Sequence, residues 1–463
     1  MNNETINNEI MSLADCIKHA DETKELILKK DALLEIPGLL DAFFPPGSDL
    51  CLISDENTYK AAGKKVREIL EGSGKKILGS HIFPGEPRLH AEYEHVLFLQ
   101  DWISSLGDIK NIIPVSVGAG TINDLVKCVS TKLGVRYFCV PTAASVDGFT
   151  PNGAALLKDG LKQTISCLAP MVLAADTEVI SKAPAYLASS GFGDLASKII
   201  TGTDWIIAEK AGSVGAPEAP AIDPVCWAMV QNGLMKALTS SVNAANGDEN
   251  AIATLFQSLA ITGFAMQYYK NSRPVSGSEH LFSHVWEMED LCLDGVPVTH
   301  GHKVTIGTLA ATAFTEIFFK DPSGPPETPK DYRRPVLSER LNEVSLAFTG
   351  SRGHDNIVRI AGGKLVSRKA AELVNQAFRD SWKEIRDKVC ERLLPYQELK
   401  ALLKQAGCPL VPEAIGLERS DIIVTARKAQ MMRNKYCVLD LVWDMGCFEK
   451  VLSLMEESDS YLR

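Results

Sequence analysis

Short apolar runs alternate with helical stretches along the first part of the chain. The runs lie at residues 50–53, 77–83, 112–117, 137–140 and 171–175. Strands and helices that alternate at this spacing predict a parallel sheet with helices on both faces. Residues 184–463 carry a mostly helical period instead, with few β-branched runs. The pattern therefore predicts an α/β fold: an N-terminal Rossmann-like parallel-sheet domain followed by an all-α C-terminal domain.

The same pattern predicts where the domains begin and end. We expect residues 1–45 to form a helical or loose N-terminal extension and residues 46–182 to form the α/β domain. Residues 183–463 are expected to form the helical domain with a C-terminal helical tail. Within that tail, residues 368–394 are predicted as one long amphipathic helix. A chain of 463 residues is long enough for two or three domains.

Composition and charge narrow the classes of partner. The net charge is −10 and no basic stripe stands out, which argues against nucleic acid and anionic membranes as main partners. No run of about 18 apolar residues occurs, so no membrane span is expected. Eleven cysteines without a CxxC pair favour a reduced chain over a disulfide framework. The N-terminus lacks the basic and apolar regions of a signal peptide, and we therefore expect a cytoplasmic protein.

A glycine-containing turn follows the predicted strand at residues 112–117. Glycines between a strand and a helix let the backbone approach a pyrophosphate, and the helix N-terminus offers N–H groups. A tight turn without a ligand is the alternative, since this GxG lacks the third glycine of GxGxxG. The candidate dinucleotide contacts are Gly118, Ala119, Gly120, Thr121 and Ile122.

Two further polar positions follow strand ends. Asp55 ends the first clear strand, where a carboxylate can accept both ribose hydroxyls and repel a 2′-phosphate, which would favour NADH over NADPH. Capping of the next helix explains Asp55 equally well. Asp147 lies in the small polar loop 141–148, which follows another strand. It could bind a polyol hydroxyl, although an Asp-Gly aspartate more often caps a turn.

Histidines concentrate in one short part of the chain. Four of the nine lie between residues 280 and 302, and His280 and His284 share a face if the segment is helical. The segments 278–284 and 299–302, together with Gly191–Asp194, supply an aspartate and two imidazoles. Such a set can bind one divalent metal and leave coordination positions open, as catalysis requires. A hydrated polar helix face is the alternative. Such ligands suit zinc, nickel and iron alike.

Positive side chains border these segments. Lys198 follows Asp194 by one turn, Arg273 precedes the histidines, and Lys303 follows His302. Each of the three could bind a phosphate or be an ordinary surface charge.

Taken together, the segments GAGTINDLVK, PTAASVDG, GFGDLASK, SGSEHLFSH and HGHKV resemble the sn-glycerol-1-phosphate dehydrogenases. That family belongs to the iron-containing alcohol dehydrogenase and dehydroquinate synthase-like superfamily. The resemblance covers roughly residues 48–320, and residues 420–446 less specifically. It implies reduction of dihydroxyacetone phosphate to sn-glycerol 1-phosphate with NAD(P)H and a metal, which is zinc or nickel in different members.

The resemblance also implies roles for individual residues. Asp194, His280 and His300 fall on metal ligands, and Asp194 is also a substrate contact. Asp147 and His284 fall on substrate-contacting positions and are the predicted catalytic residues. The dinucleotide-contacting positions are Asp55, Gly118–Ile122, Thr142, Ala143, Ala144 and Ser145. Two positions depart from the family pattern: His302 replaces a frequent glutamate, and Pro151 replaces a frequent serine near the nicotinamide.

These observations lead to one functional hypothesis and three rivals. The hypothesis is a metal-dependent sn-glycerol-1-phosphate dehydrogenase that favours NADH and forms a homodimer. The first rival is a glycerol or other polyol dehydrogenase on the same scaffold. A sugar-phosphate cyclase is less favoured, because the cations near the metal segments are sparse. A non-catalytic nucleotide or phosphate sensor is the third rival, and the intact Asp194, His280 and His300 argue against it.

Overall fold

The computed structural model describes residues 9–158, 161–351, 353–364 and 367–463. The chain forms two compact units. The first comprises the described part of residues 1–195 together with 232–271, and the second comprises 196–231 with the described part of 272–463. The domain limits that the sequence suggests, 45/46 and 182/183, remain predictions.

The strands and helices are numbered in chain order. Strands β1–β10 span Glu25–Lys29, Asp49–Asp55, Ile77–Phe83, Ile112–Gly118, Phe138–Pro141, Gly153–Lys158, Leu161–Ser166, Val172–Asp176, Cys292–Leu293 and Val296–Pro297. Helices α1–α11 span Leu13–Lys18, Ile36–Phe43, Glu56–Thr58, Lys64–Gly72, Tyr93–Ser105, Gly120–Leu133, Thr177–Ser181, Ala185–Ala196, Lys198–Gly212, Pro224–Val230 and Leu234–Ser241. Helices α12–α22 span Glu249–Tyr269, Ser278–Met288, His300–Phe318, Leu337–Ala347, His354–Lys364, Arg368–Asp380, Trp382–Arg392, Tyr396–Gln405, Arg419–Met432, Val438–Asp444 and Phe448–Glu457.

Six strands of the first unit form one sheet in the order β1-β8-β5-β4-β2-β3, and every neighbouring pair is parallel. All residues of β4, β5 and β8 are buried, as expected for strands covered on both faces. The five predicted strands are confirmed as β2, β3, β4, β5 and β8. The predicted parallel-sheet fold class is therefore confirmed.

Two parts of the first unit were not predicted. Residues 25–29, expected to be helical or loose, form the edge strand β1, because their backbone pairs with β8 from Glu25↔Val172 to Lys29↔Asp176. Strands β6 and β7 form a separate antiparallel hairpin after the loop at 142–150. The backbone of β1 pairs with a strand far along the chain, so periodicity alone carries little sign of it. The hairpin is a local pairing, from Gly153↔Ser166 to Lys158↔Leu161, that the apolar pattern did not identify.

The core on one sheet face joins strand and helix side chains. Leu50, Leu52, Val115 and Val117 of β2 and β4 pack in one buried cluster. Residues of the neighbouring helices complete it: Ile36, Leu39 and Leu40 of α2 and Val66 and Leu70 of α4. Burial of aliphatic side chains of this size contributes about 1.5–3 kcal/mol each, so this cluster holds the strand ends in place.

Helix α12 belongs to the first unit, although it follows more than fifty residues of helical sequence. Its buried Gln267 explains the attachment. The side-chain amide donates to the carbonyl oxygen of Thr150 at 2.7 Å, and its Oε1 accepts from the backbone N–H groups of Glu22 and Thr23 at 3.0 and 3.2 Å. One buried amide thus joins three segments of the first unit.

The second unit is helical apart from the two-residue strands β9 and β10, which form a hairpin between α13 and α14. Helix α13 packs against both α14 and α20. Trp286 donates from Nε1 to the hydroxyl of Thr425 at 2.9 Å, and Lys428 lies 2.6 Å from a carboxylate oxygen of Glu289. These contacts position α13, which carries two of the clustered histidines.

The predicted single helix over 368–394 is wrong. The chain forms α17 and α18 with a break at Ser381, whose hydroxyl accepts a hydrogen bond from Lys210 at 2.7 Å. The following Trp382 stacks on Phe319 with ring centroids 5.1 Å apart and donates from Nε1 to the carbonyl oxygen of Asp321 at 2.9 Å. Tertiary contacts of these two side chains therefore outweigh the continuous amphipathic period.

Two global expectations can be compared with the structure. Among the residues that it describes, none of the helices combines the length and apolar character that a bilayer crossing requires. All eleven cysteines are free thiols, and nine of them are buried. The prediction of a chain without a disulfide framework is therefore confirmed.

Candidate active site

The glycine-containing turn joins β4 to α6 at the carboxyl end of the sheet. A Cβ on Gly118 would lie 2.5 Å from the Cβ of Ile122, and a Cβ on Gly120 would lie 2.9 Å from Cγ2 of Val146. Both distances are shorter than any tolerated carbon contact, so the turn requires glycine at these two positions. Helix α6 begins at Gly120, and no side chain caps its first turn. Its first N–H groups could therefore bind a phosphate.

The loop after β5 lies beside this turn, as expected of two dinucleotide-contacting segments. The backbone N–H of Thr142 donates to the carbonyl oxygen of Gly118 at 3.1 Å. From α6, Asn123 donates to the carbonyl of Gly148 at 3.2 Å and the buried Lys127 donates to the same oxygen at 2.8 Å. The structure thus brings together Gly118–Ile122 and the four residues Thr142, Ala143, Ala144 and Ser145.

Asp55 caps a helix, which was one of its two predicted roles. Its Oδ1 accepts from the backbone N–H of Thr58 at 2.8 Å, and the Thr58 hydroxyl accepts from the Asp55 N–H at 3.0 Å. The cap uses one carboxylate oxygen and places the side chain at the carboxyl end of β2. A role toward the ribose remains a prediction, and it is compatible with this cap.

Helix α8 lies directly against the loop after β5. A Cβ on Gly191 would lie 2.0 Å from the carbonyl oxygen of Ala144, so only glycine permits this approach. The Ser190 hydroxyl donates to the carbonyl of Ser145 at 3.3 Å. One turn later, the buried Asp194 accepts from the backbone N–H of Asp147 at 3.0 Å. Two predicted substrate-contacting residues, Asp147 and Asp194, are therefore hydrogen-bonded neighbours.

Three imidazole rings form a triangle in the second unit. The centroid of His280 lies 6.2 Å from that of His284 and 5.4 Å from that of His300, and the latter two are 6.5 Å apart. His280 and His284 occupy one face of α13, as predicted. His300 begins α14, which Thr299 caps by accepting from the N–H of His302 at 3.2 Å.

Two buried carboxylates hold the Nδ1 atoms of all three rings. Nδ1 of His280 lies 2.8 Å from Oε1 of Glu279. Nδ1 of His300 lies 2.7 Å from Oε1 of Glu287, and Nδ1 of His284 lies 3.1 Å from Oε2 of the same residue. A histidine that donates from Nδ1 to a carboxylate presents Nε2 as the nitrogen for a metal or a substrate.

Burial shifts the titration of this cluster. It lowers the pKa of His284 well below its usual value, and the charge of Arg433 adds to the effect, whereas the hydrogen bond to Glu287 opposes it. Burial raises the pKa of Glu279, although Gly277, Thr201 and Lys198 all favour its ionised form. The direction of this shift favours the neutral form of the His284 ring.

The residues present fit one divalent metal. Asp194, His280 and His300 each offer a ligand atom, and these atoms lie within 4.8 Å of one another. One carboxylate and two imidazoles suit zinc, nickel or iron and leave coordination positions for a substrate. The carboxylates on Nδ1 of both imidazoles are the outer partners that metal-binding histidines usually have.

The buried carboxylate of Asp204 supports the segment before α13. Asp204 accepts from the N–H of Ser278 at 2.6 Å and from that of Val438 at 2.8 Å. A Cβ on Gly277 would lie 2.4 Å from Oδ2 of Asp204 and 2.7 Å from Oε2 of Glu279. Burial, and next the charge of Glu279, raise the pKa of Asp204 to about 7. The glycine of SGSEH is thus required where two carboxylates approach each other.

Sequence reasoning missed Asp204, Glu279 and Glu287. Glu279 directly precedes His280 and Glu287 follows His284 by three residues, so this proximity in sequence was an available signal. Asp204 lies far before His280 in the sequence and belongs to no local pattern of histidines. Only the packing of the second unit reveals it.

The three cations suggested for phosphate binding differ in their surroundings. Arg273 donates to the carbonyl oxygens of Tyr436 at 2.8 Å and Asp204 at 3.2 Å, so it stabilises the second unit. Lys198 is fully buried at the start of α9. Lys303 lies 3.7 Å from Oε1 of Glu287, beside the imidazoles. A fourth cation, Arg433, follows α20, and its charge lowers the pKa of His284.

Comparison with known proteins agrees with these motifs. Residues 27–184 match the family model of the iron-containing alcohol dehydrogenases. The chain is 35% identical over 253 residues to a protein named glycerol-1-phosphate dehydrogenase [NAD(P)+] from Bacillus velezensis, which covers 55% of this chain and 62% of that relative. A protein of the same name from Geobacillus stearothermophilus is 31% identical over 391 residues, which covers 84% of this chain and 85% of the relative.

Solved structures support the fold. A probable glycerol dehydrogenase from Sinorhizobium meliloti 1021 has a TM-score of 0.56 at 14% identity and covers 94% of this chain and 99% of that one. Sulfoacetaldehyde reductase from Bifidobacterium kashiwanohense, solved with NAD+, has a TM-score of 0.54 at 14% identity and covers 94% and 98%. The family model gives the class as the iron-containing alcohol dehydrogenases, and these structures show a similar fold. Within that class, the chain belongs to the sn-glycerol-1-phosphate dehydrogenase family.

Proposed function

We propose that this chain is an oxidoreductase that reduces dihydroxyacetone phosphate to sn-glycerol 1-phosphate with NAD(P)H and one divalent metal. The observation that carries the proposal is the group formed by Asp194, His280 and His300, in a member of a family whose relatives bear that enzyme name. The reaction is reversible, so each residue acts in both directions.

The proposed metal ligands are Asp194, His280 and His300. When bound, the metal would polarise the C2 carbonyl oxygen of the substrate. The chain supports this role through Glu279 and Glu287, which hold Nδ1 of the two ligand imidazoles. We propose in addition that Asp194 contacts the substrate.

His284 and Asp147 are the proposed catalytic residues. His284 lies one turn after His280 on the same helix, and its neutral ring can accept the C2 hydroxyl proton at Nε2 during alcohol oxidation. In the reduction, the protonated ring returns that proton. Asp147, whose N–H donates to Asp194, is proposed to orient a substrate hydroxyl. The nicotinamide supplies the hydride.

The proposed dinucleotide site lies at the carboxyl end of the sheet. Gly118, Ala119, Gly120, Thr121 and Ile122 would hold the pyrophosphate at the start of α6, and residues 142–145 would line the adjacent surface. Asp55, at the end of β2, would accept the ribose hydroxyls and favour NADH over NADPH. The tight approach of the two backbone segments supports this assignment.

A positive charge is needed for the phosphate of the substrate. Of the cations described above, Lys303 and Arg433 are those whose charge acts directly on the Glu287 and His284 groups. Arg433 can bind a phosphate through two parallel hydrogen bonds. We therefore propose Arg433 as the main phosphate contact and Lys303 as a second one.

The proposal also includes a cytoplasmic homodimer. The amphipathic helices after residue 365 are expected either of a dimer interface or of a tail that packs on its own chain, and we propose the dimer. Light scattering on the purified chain measures the dimer directly, and a mass near that of one 50.4 kDa chain would contradict it.

The decisive experiment is a steady-state assay of purified, metal-loaded protein. NADH oxidation is measured with dihydroxyacetone phosphate and with dihydroxyacetone, and the product is analysed with an enzyme that accepts only one enantiomer of glycerol phosphate. We expect preference for the phosphorylated substrate and formation of sn-glycerol 1-phosphate alone. Equal use of dihydroxyacetone would favour the polyol dehydrogenase, and sn-glycerol 3-phosphate as product would contradict the proposal.

A further inference from the structure

One buried carboxylate contacts two of the three clustered imidazoles. Oε1 of Glu287 lies 2.7 Å from Nδ1 of His300, and Oε2 lies 3.1 Å from Nδ1 of His284. The Glu287 side chain is 2% exposed, whereas those of His284 and His300 are 19% and 24% exposed. The carboxylate therefore lies behind the two rings, on the side away from solvent.

The position of Glu287 in the chain makes this double contact possible. His284 precedes it by three residues on α13, so the two side chains share one helix face. His300 begins α14 and reaches Glu287 because the β9–β10 hairpin returns the chain to α13. Glu287 thus connects two helices that each carry a histidine.

An ionised carboxylate can only accept hydrogen bonds, so it determines which tautomer each ring adopts. Both rings must carry hydrogen on Nδ1, and Nε2 then faces the metal or the substrate. Lys303 lies beside the same carboxylate, with Nζ 3.7 Å from Oε1 of Glu287. Glutamine at this position has one acceptor oxygen and can satisfy only one of the two rings.

We propose that Glu287 is a shared positioning residue that fixes both the metal ligand His300 and the proton-transferring His284 through its two separate oxygens. This inference rests on the proposed function, because the roles of the two histidines come from it. It adds that metal affinity and proton transfer depend on one side chain that contacts neither the metal nor the substrate.

The test compares Glu287→Gln with Glu289→Gln. Glu289 directly follows α13, pairs with Lys428 and is 42% exposed, so it controls for the loss of one carboxylate at the end of that helix. Zinc is the probe, and its affinity is measured by competition with a coloured chelator, without substrate. Loss of an outer partner of a metal ligand typically weakens metal binding about 10–100-fold. We expect that loss for Glu287→Gln and a change within threefold for Glu289→Gln.

A double-mutant cycle tests the second contact. At saturating zinc, kcat is measured for wild type, Glu287→Gln, His284→Ala and the double variant. If Glu287 acts on proton transfer through His284, Glu287→Gln must lower kcat less in the His284→Ala background than in the wild type. The inference would be overturned if Glu287→Gln lowered kcat by the same factor in the wild-type and His284→Ala backgrounds. It would also be overturned if the zinc affinity of Glu287→Gln were within threefold of that of the wild type.

Glu287→Asp keeps the inference testable if Glu287→Gln does not fold. Aspartate retains two acceptor oxygens. The Glu287→Asp variant must therefore bind zinc at least threefold more tightly than the Glu287→Gln variant. If Glu287→Gln does not fold, Glu287→Asp must still give a folded protein that binds zinc. An unfolded or zinc-free Glu287→Asp would overturn the role of the two oxygens. A wild-type protein that binds no zinc and does not reduce dihydroxyacetone phosphate would instead refute the proposed function.

Discussion

The two candidate binding regions of this protein offer different chemical groups to a ligand. The turn at 118–122 and the loop at 142–148 offer mainly backbone groups, and glycines at 118, 120 and 191 permit their close approach. The histidine cluster offers side chains, and buried carboxylates at 279 and 287 hold each ring. Binding by backbone groups depends on the path of the main chain, whereas binding by side chains depends on a few individual atoms. Single substitutions should therefore cost more activity in the histidine cluster than at the sheet edge.

The largest effect is expected for His280→Ala. The substitution removes one of three proposed ligands, so the protein should lose its metal and about 10³-fold of kcat/KM, roughly 4 kcal/mol of transition-state stabilisation. Metal analysis after dialysis, together with the assay, measures both quantities. Helical content by circular dichroism is the control for folding. Full activity of a metal-free His280→Ala variant would contradict the proposed metal site and the greater sensitivity of the histidine cluster.

His284→Ala should lower kcat by about 10²-fold, the lower end of the range for loss of a general acid–base group. Metal content should remain within error of the wild type, because His284 is not a proposed ligand. The contrast with His280→Ala separates binding of the metal from proton transfer within one helix. Simultaneous loss of metal would show that His284 is itself a ligand.

Arg433→Gln should raise the KM for dihydroxyacetone phosphate. A charge-assisted hydrogen bond contributes about 1.5–3 kcal/mol, which corresponds to roughly 10–100-fold. The kinetics with unphosphorylated dihydroxyacetone should change little and serve as the internal control. An equal change with both substrates would remove Arg433 from phosphate recognition.

Gly191→Ala tests the backbone region. The new Cβ would lie 2.0 Å from the carbonyl oxygen of Ala144, so the loop must move, at a cost of about 1–3 kcal/mol in unfolding free energy. We expect weaker NADH binding together with the lower stability. Gly363→Ala is the matched control, since nothing lies within 4 Å of its Cβ position in α16, and it should stabilise the helix by about 0.5–1 kcal/mol. Equal stability of the two variants would contradict the close approach.

The smallest effect is expected for Asp55→Ser. Serine retains the helix cap but removes the negative charge, so folding should be nearly unchanged. The ratio of kcat/KM for NADH to that for NADPH should fall by about tenfold, or roughly 1.4 kcal/mol. A wild type that already prefers NADPH would show that Asp55 acts only as a cap.

Much of the fold could be predicted because its signals are local. The five predicted strands carry short apolar runs, and the turn at Gly118–Gly120 stands where a strand meets a helix. The shared face of His280 and His284 follows from a spacing of four residues on a helix. Strand β1, the helix break at Ser381 and the attachment of α12 through Gln267 were not predictable in this way. Each depends on partners far away in the chain.

The candidate site also has features that the sequence predicts and features that depend on distant parts of the chain. The sequence by itself determined the residue types and their spacing: glycines after a strand, an aspartate in GFGD, and histidines at 280, 284 and 300. It could not determine that Glu287 holds both His284 and His300, or that Asp204 and Glu279 meet at Gly277. Periodicity and turn chemistry act over a few residues and leave a pattern in the sequence. The direction and tautomer of a buried imidazole are set by whichever acceptor the folded chain brings to it, and only the tertiary structure decides that.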